Sequence, residues 1–99
     1  MITHFRHAGI VVADIDRALI FWRDVLGFRV VRRMEESGAY LDALTGLDRA
    51  TATTIKLAAP DGTLVELLQF RSHPDRPDWA GRACSTGLTH LAFTVDDLD

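Results

Sequence analysis

Three side chains stand out as groups able to do chemistry together: His7, Glu66 and His90. Two imidazoles and one carboxylate form a borderline N/O donor set, which suits Zn²⁺, Ni²⁺, Co²⁺, Mn²⁺ or Fe²⁺. Each has an ordinary alternative. A lone strand histidine is often a partly buried ring held by a backbone carbonyl. A lone glutamate is common on an edge strand. Glu66 is the more informative, because in Thr-Leu-Val-Glu-Leu-Leu-Gln-Phe it is the only ionisable group in an apolar run. A buried carboxylate must pair with a cation, bind a metal or stay protonated.

The elements that carry these residues are read from periodicity. Phe5 to Ala13 alternates as a strand, with Ala8, Ile10 and Val12 on one face and His7, Gly9 and Val11 on the other. Asp14 caps a helix whose apolar stripe is Ile15, Ala18, Leu19, Trp22, Val25 and Leu26, and Gly27 ends it. Phe28 to Met34 reads as a strand and Glu35 to Ala50 as a long loop with one helical turn. Thr53 to Ala59 and Thr63 to Phe70 read as a hairpin around Pro60-Asp61-Gly62. On the last strand Glu66 shares its face with Leu64, Leu68 and Phe70. The order is βαβββ, an α+β module with a mixed sheet and a helix packed on one face. Residues 1–70 form this module and 71–87, with Pro74, Pro77 and Gly81, a linker.

Residues 88–99 begin a second module. Superposing His90 on His7 aligns LTHLAFTVDDLD with FRHAGIVVADID, with identities at the histidine, at Val12 and Val95, at Asp14 and Asp97, and at Asp16 and Asp99. Leu88 to Val95 is then a strand with His90, Ala92 and Thr94 on one face, and Asp97 caps a helix that is cut short. On this reading the second module is truncated.

The segments HAGIVVADIDRALIFWRDVLGF, PDGTLVELLQF and GLTHLAFTVDDLD together resemble the vicinal-oxygen-chelate, or glyoxalase/bleomycin-resistance/dioxygenase, superfamily over essentially the whole chain. The resemblance implies two βαβββ modules around a divalent metal, held by a His or Gln on each first strand and a Glu or Gln on each last strand. Carried over, the ligands are His7, Glu66 and His90. The fourth ligand would fall beyond Asp99 and is absent from this sequence. The implied chemistry is that of a glyoxalase I-like lyase or isomerase, in which Glu66 shuttles a proton next to a carbonyl of a small substrate with vicinal oxygens. An extradiol Fe²⁺ dioxygenase using His7, His90 and Glu66, a metal-free drug-binding protein and an inactive truncated module are the alternatives. A homodimer would supply His7 and Glu66 twice about a two-fold axis.

The other residues narrow the partners. A net charge of −3 with no basic run disfavours nucleic acid. No signal peptide or membrane span can be drawn before or within the apolar segments, so a cytoplasmic location is expected. Cys84 is the only cysteine. His4 is out of phase with His7, and His73 precedes a proline; both read as surface residues. Trp22 belongs to the helix stripe and Trp79 to the linker. Arg32 and Arg33 read as a solvated strand face, with contact to an anionic substrate as the second reading.

Overall fold

The computed structural model describes residues 1–74, 84–87 and 90–97. Its elements run β1 (Ala8–Val11), α1 (Ile15–Leu19) continuing into a π-helical segment Ile20–Val25, β2 (Arg29–Ser37), α2 (Ala39–Thr45), β3 (Thr51–Ala58) and β4 (Leu64–Phe70). The sheet order is β1-β4-β3-β2, with β1 parallel to β4 and the other two pairings antiparallel. This is the expected α+β, βαβββ arrangement. The parallel β1–β4 pair sets His7 beside the strand that carries Glu66.

The helical connection after β1 crosses one face of the sheet, and the core forms beneath it. Ile15, Phe28, Ile55, Leu57, Val65 and Leu67 are buried there, with Ile10, Val12, Ala18, Leu19 and Trp22 packed against them. These sheet positions alternate along their strands, as a period of two requires. Trp22 meets Phe28 edge to face at 5.1 Å between ring centroids.

One polar device caps the helix and two tie it to the sheet. Asp14 accepts from the Arg17 amide at 3.1 Å, as an N-cap should. The Ile15 amide donates to Gln69 Oε1 at 2.9 Å, so a β4 side chain satisfies a second free N–H at the helix start. Asp16 pairs with Arg33 of β2 at 2.9 Å. Gln69→Leu removes an acceptor that the half-buried helix start cannot replace, and is expected to destabilise the fold by about 1–2 kcal/mol in urea denaturation. Asp14→Ala should cost about 1 kcal/mol.

Several expectations are corrected. The helix stripe ends at Trp22: Val25 is 67% exposed and Leu26 is also exposed. The wider π-helical turn of Ile20–Val25 advances fewer degrees per residue, so the 3.6-residue register slips and Val25 swings off the sheet. Helix termination at Gly27 is as expected, with φ 82° and its amide donating to the Arg23 carbonyl. The loop of residues 35–50 is shorter than expected, because β2 extends to Ser37 and α2 has seven residues. Asp42 organises the return to β3 by accepting from the amides of Arg49 and Ala50 at 3.1 and 2.8 Å. Glu35 is held on β2 by the buried Thr53 hydroxyl, which donates to it at 2.7 Å and accepts from Arg71 Nε at 3.1 Å.

At the hairpin, Asp61 accepts from the Thr63 amide at 2.9 Å. That bond favours the charged form and holds the Asp61 carboxyl below its ordinary range. A folded-state pKa depressed in this way contributes stability above the unfolded-state value, and the contribution is lost as pH falls through the folded-state value. Replacing Asp61 with Asn should therefore lower stability slightly at neutral pH, leave it little changed in acid, and so flatten the acid limb of a stability profile.

The second-module strand is also corrected. Leu88 and Thr89, like Trp79, lie outside the described residues, and residues 90–97 form no strand. A strand exists only by hydrogen bonding to a neighbour, and among the described residues β1 to β4 pair with one another alone. Phe93 instead lays its ring edge-on against Trp22 and Phe28, at 6.0 and 5.8 Å.

Candidate metal centre

The face of the sheet opposite the helix carries the candidate site. Glu66 sits on β4 between Val65 and Leu67, which point into the core, so its own side chain points to the other face with Leu64, Leu68 and Phe70. Gly9 is the lateral partner of Glu66 in the parallel ladder, and His7 precedes it by two residues on the same face. Gly9 leaves the space between them open; a Cβ built there would first meet Leu68 Cδ1 at 3.4 Å.

His7 Nε2 lies 3.8 Å from Glu66 Oε1, and the two side chains are 26% and 20% exposed. That separation is too long for a hydrogen bond. His7 Nδ1 is buried without a hydrogen-bond partner among the described residues. An imidazole and a carboxylate are thus held side by side, half-buried, with no hydrogen bond between them. Two protein donors about 2.1 Å from one ion and 90–110° apart would be separated by roughly 3.0–3.4 Å. A small rotation of the Glu66 side chain closes the difference, so the pair fits a divalent metal.

His90 does not join them. It lies exposed in the irregular segment 90–97, and the described residues contain no group of three or more His, Cys, Asp or Glu side chains able to hold a metal ion. His4 is exposed, and His73 Nδ1 sits 2.8 Å from its neighbour's Ser72 hydroxyl; neither approaches the pair. Arg32 and Arg33 point to opposite faces, Arg33 toward α1 and Arg32 toward the candidate site. Cys84 is exposed.

Residues 6–99 match the Glyoxalase/Bleomycin resistance protein/Dioxygenase superfamily. The chain belongs to that superfamily. Members of this superfamily typically bind divalent metals. The chain is 30% identical over its whole length to the uncharacterized protein YwkD of Bacillus subtilis strain 168, of which it covers 66%. It is 32% identical over 94% of its length to the uncharacterized protein YaeR of Escherichia coli K12, of which it covers 61%. It therefore spans just under two thirds of the length of these curated relatives. The crystal structure of a glyoxalase family protein from Bacillus cereus superposes with a TM-score of 0.86 at 25% identity, over 98% of this chain and 66% of that one. No helix among the described residues is long and apolar enough to cross a membrane.

The pairing of β2 with β3 has no counterpart in the sequence pattern. The row of residues lying across the sheet from Glu66 depends on the β2–β3 register, which shifts between Val30 and Arg32. A bulge of this kind has no strong sequence signal, because Val30-Val31-Arg32 lacks a glycine.

Proposed function

We propose that this superfamily member is a divalent-metal-dependent lyase or isomerase of the glyoxalase I type, which moves a proton next to the carbonyl of a small substrate with vicinal oxygens. The observation that supports it is the His7–Glu66 pair, with His7 Nε2 3.8 Å from Glu66 Oε1 on the open face and no other ion-pair partner for Glu66 among the described residues. His7 Nε2 and Glu66 Oε1 would hold the ion. When bound, such an ion supplies a Lewis acid that polarises a substrate oxygen and acidifies the neighbouring C–H. Glu66 would help to hold the ion, and its carboxylate would be the group that accepts the proton and returns it. Leu64, Leu68 and Phe70, all half-buried, are the apolar neighbours of Glu66 on this face.

The pair supplies half of the four-ligand set. A homodimer in which two modules face one another would bring His7 and Glu66 together twice, independently of His90. The outer edge of β1, unpaired among the described residues, is a surface that such a partner can cover. An extradiol iron site draws no comparable support, since it needs His90 within the same group.

Elemental analysis of the purified chain, with its mass in solution, tests the proposal. Stoichiometric Zn, Ni, Co, Mn or Fe in a dimer is the expected result. A metal-free protein that takes up none of these ions on addition would overturn it.

A further inference from the structure

Residues directly opposite one another in a sheet share a face. The register sets Arg32 opposite Lys56, Lys56 opposite Glu66 and Glu66 opposite Gly9, one row across all four strands. The row lies on the candidate-site face, because Ile55 and Leu57 on either side of Lys56 are buried beneath the helix and Arg33 reaches Asp16 on that side. It therefore reads cation, cation, carboxylate, with His7 beside the carboxylate.

Two like charges directly opposite one another destabilise a sheet. Here the repulsion is sharpened by the half-burial of Lys56, which removes part of its solvent screening. The neighbouring carboxylate does not relieve it: the Glu66 contact is with His7, and neither the Lys56 nor the Arg32 side chain has an ion-pair or hydrogen-bond partner among the described residues. With strands about 4.8 Å apart, the two cations stand roughly 5 and 10 Å along the row from Glu66.

We propose that Arg32 and Lys56 form an oxyanion subsite, taking a carboxylate or phosphate group of the substrate while its reacting oxygens lie at His7 and Glu66. The second half of this statement rests on the metal-site reading above; the anion subsite itself does not. Lysine supplies a compact charge and arginine a planar fork suited to two oxygens of one group. The arrangement selects small substrates that carry an anionic group as well as the vicinal oxygens. Neutral diketones and uncharged catechols would leave the two cations unmatched.

The test titrates inorganic phosphate, and separately acetate, into the metal-free 99-residue chain at low salt, followed by amide and arginine side-chain NMR shifts. Saturable binding centred on Arg32 and Lys56 is expected, weakened at least tenfold in R32Q/K56Q, weakened by salt, and retained in H7A. Preference for phosphate or acetate tells which oxyanion is taken. Thermal unfolding provides the structural control: Lys56→Met should leave Tm unchanged or raise it, since it removes a like-charge pair. No saturable binding of either anion, or equal binding by R32Q/K56Q and the parent, would overturn the subsite, as would a Tm lowered by Lys56→Met with anion binding intact. Zinc uptake by the same proteins separates the two readings. Its loss in H7A, together with its retention in R32Q/K56Q, supports the metal pair, and zinc uptake in no variant removes the metal reading without touching the anion result.

Discussion

Replacing Glu66 with Gln should weaken zinc binding on the order of 100-fold, about 2.7 kcal/mol, while His4→Ala leaves it unchanged. The substitution keeps the shape of the side chain and removes only its charge. Glu66 is half-buried and makes no hydrogen bond among the described residues, so the fold has little to lose and Tm should stay within a few degrees. A loss of metal affinity without a loss of stability marks a ligand rather than a structural residue. Competition titration with a chromogenic chelator measures the first quantity and thermal unfolding the second. Equal zinc affinities for the E66Q and H4A variants would sink the assignment of Glu66.

The largest effect on stability should come from the residue next to it. Leu67 is fully buried beneath the helix, between core residues Ile55 and Val65. Truncation to Ala removes its transfer free energy and leaves a cavity, a combined cost of about 3–4 kcal/mol. For a domain of this size the corresponding fall in Tm is upwards of about 10 °C. Leu68, one residue on, faces the open side and is only half-buried, so Leu68→Ala should cost markedly less. Urea denaturation of both variants checks the assignment of the two sheet faces. Equal losses would mean that the open face is as tightly packed as the helix-covered one, and would leave no room for a site.

Much of this arrangement is legible in the sequence because it follows from short-range patterns. The alternation of Ala8, Ile10 and Val12 against His7, Gly9 and Val11 assigns the two faces of β1 without knowledge of its neighbours. The apolar setting of Glu66 marks it as a residue with an unmet need. Pro60-Asp61-Gly62 locates the hairpin, and the cap at Asp14 and stop at Gly27 frame the helical connection.

What the sequence conceals depends on long-range geometry. The π-helical turn that carries Val25 and Leu26 off the core has no distinct residue signature. Gln69, which reads as an ordinary strand residue, caps a helix 54 residues earlier in the chain. The lateral row of Arg32, Lys56 and Glu66 requires the register of three strands and a bulge in one of them. The repeat makes His90 the counterpart of His7 in sequence, yet a strand takes shape only against a partner. No ladder among the described residues accepts residues 90–97.

The most direct test of the central claim, that His7 and Glu66 are a metal-binding pair, is the imidazole nitrogen NMR spectrum of the chain as Zn²⁺ is added. The His7 ring is expected to respond first and saturably, with Nε2 shifting toward the range of a metal-bound nitrogen, and Glu66→Gln is expected to abolish this response at the same zinc concentration. A His7 ring that stays unperturbed while zinc is taken up elsewhere, or while none is taken up at all, would contradict it.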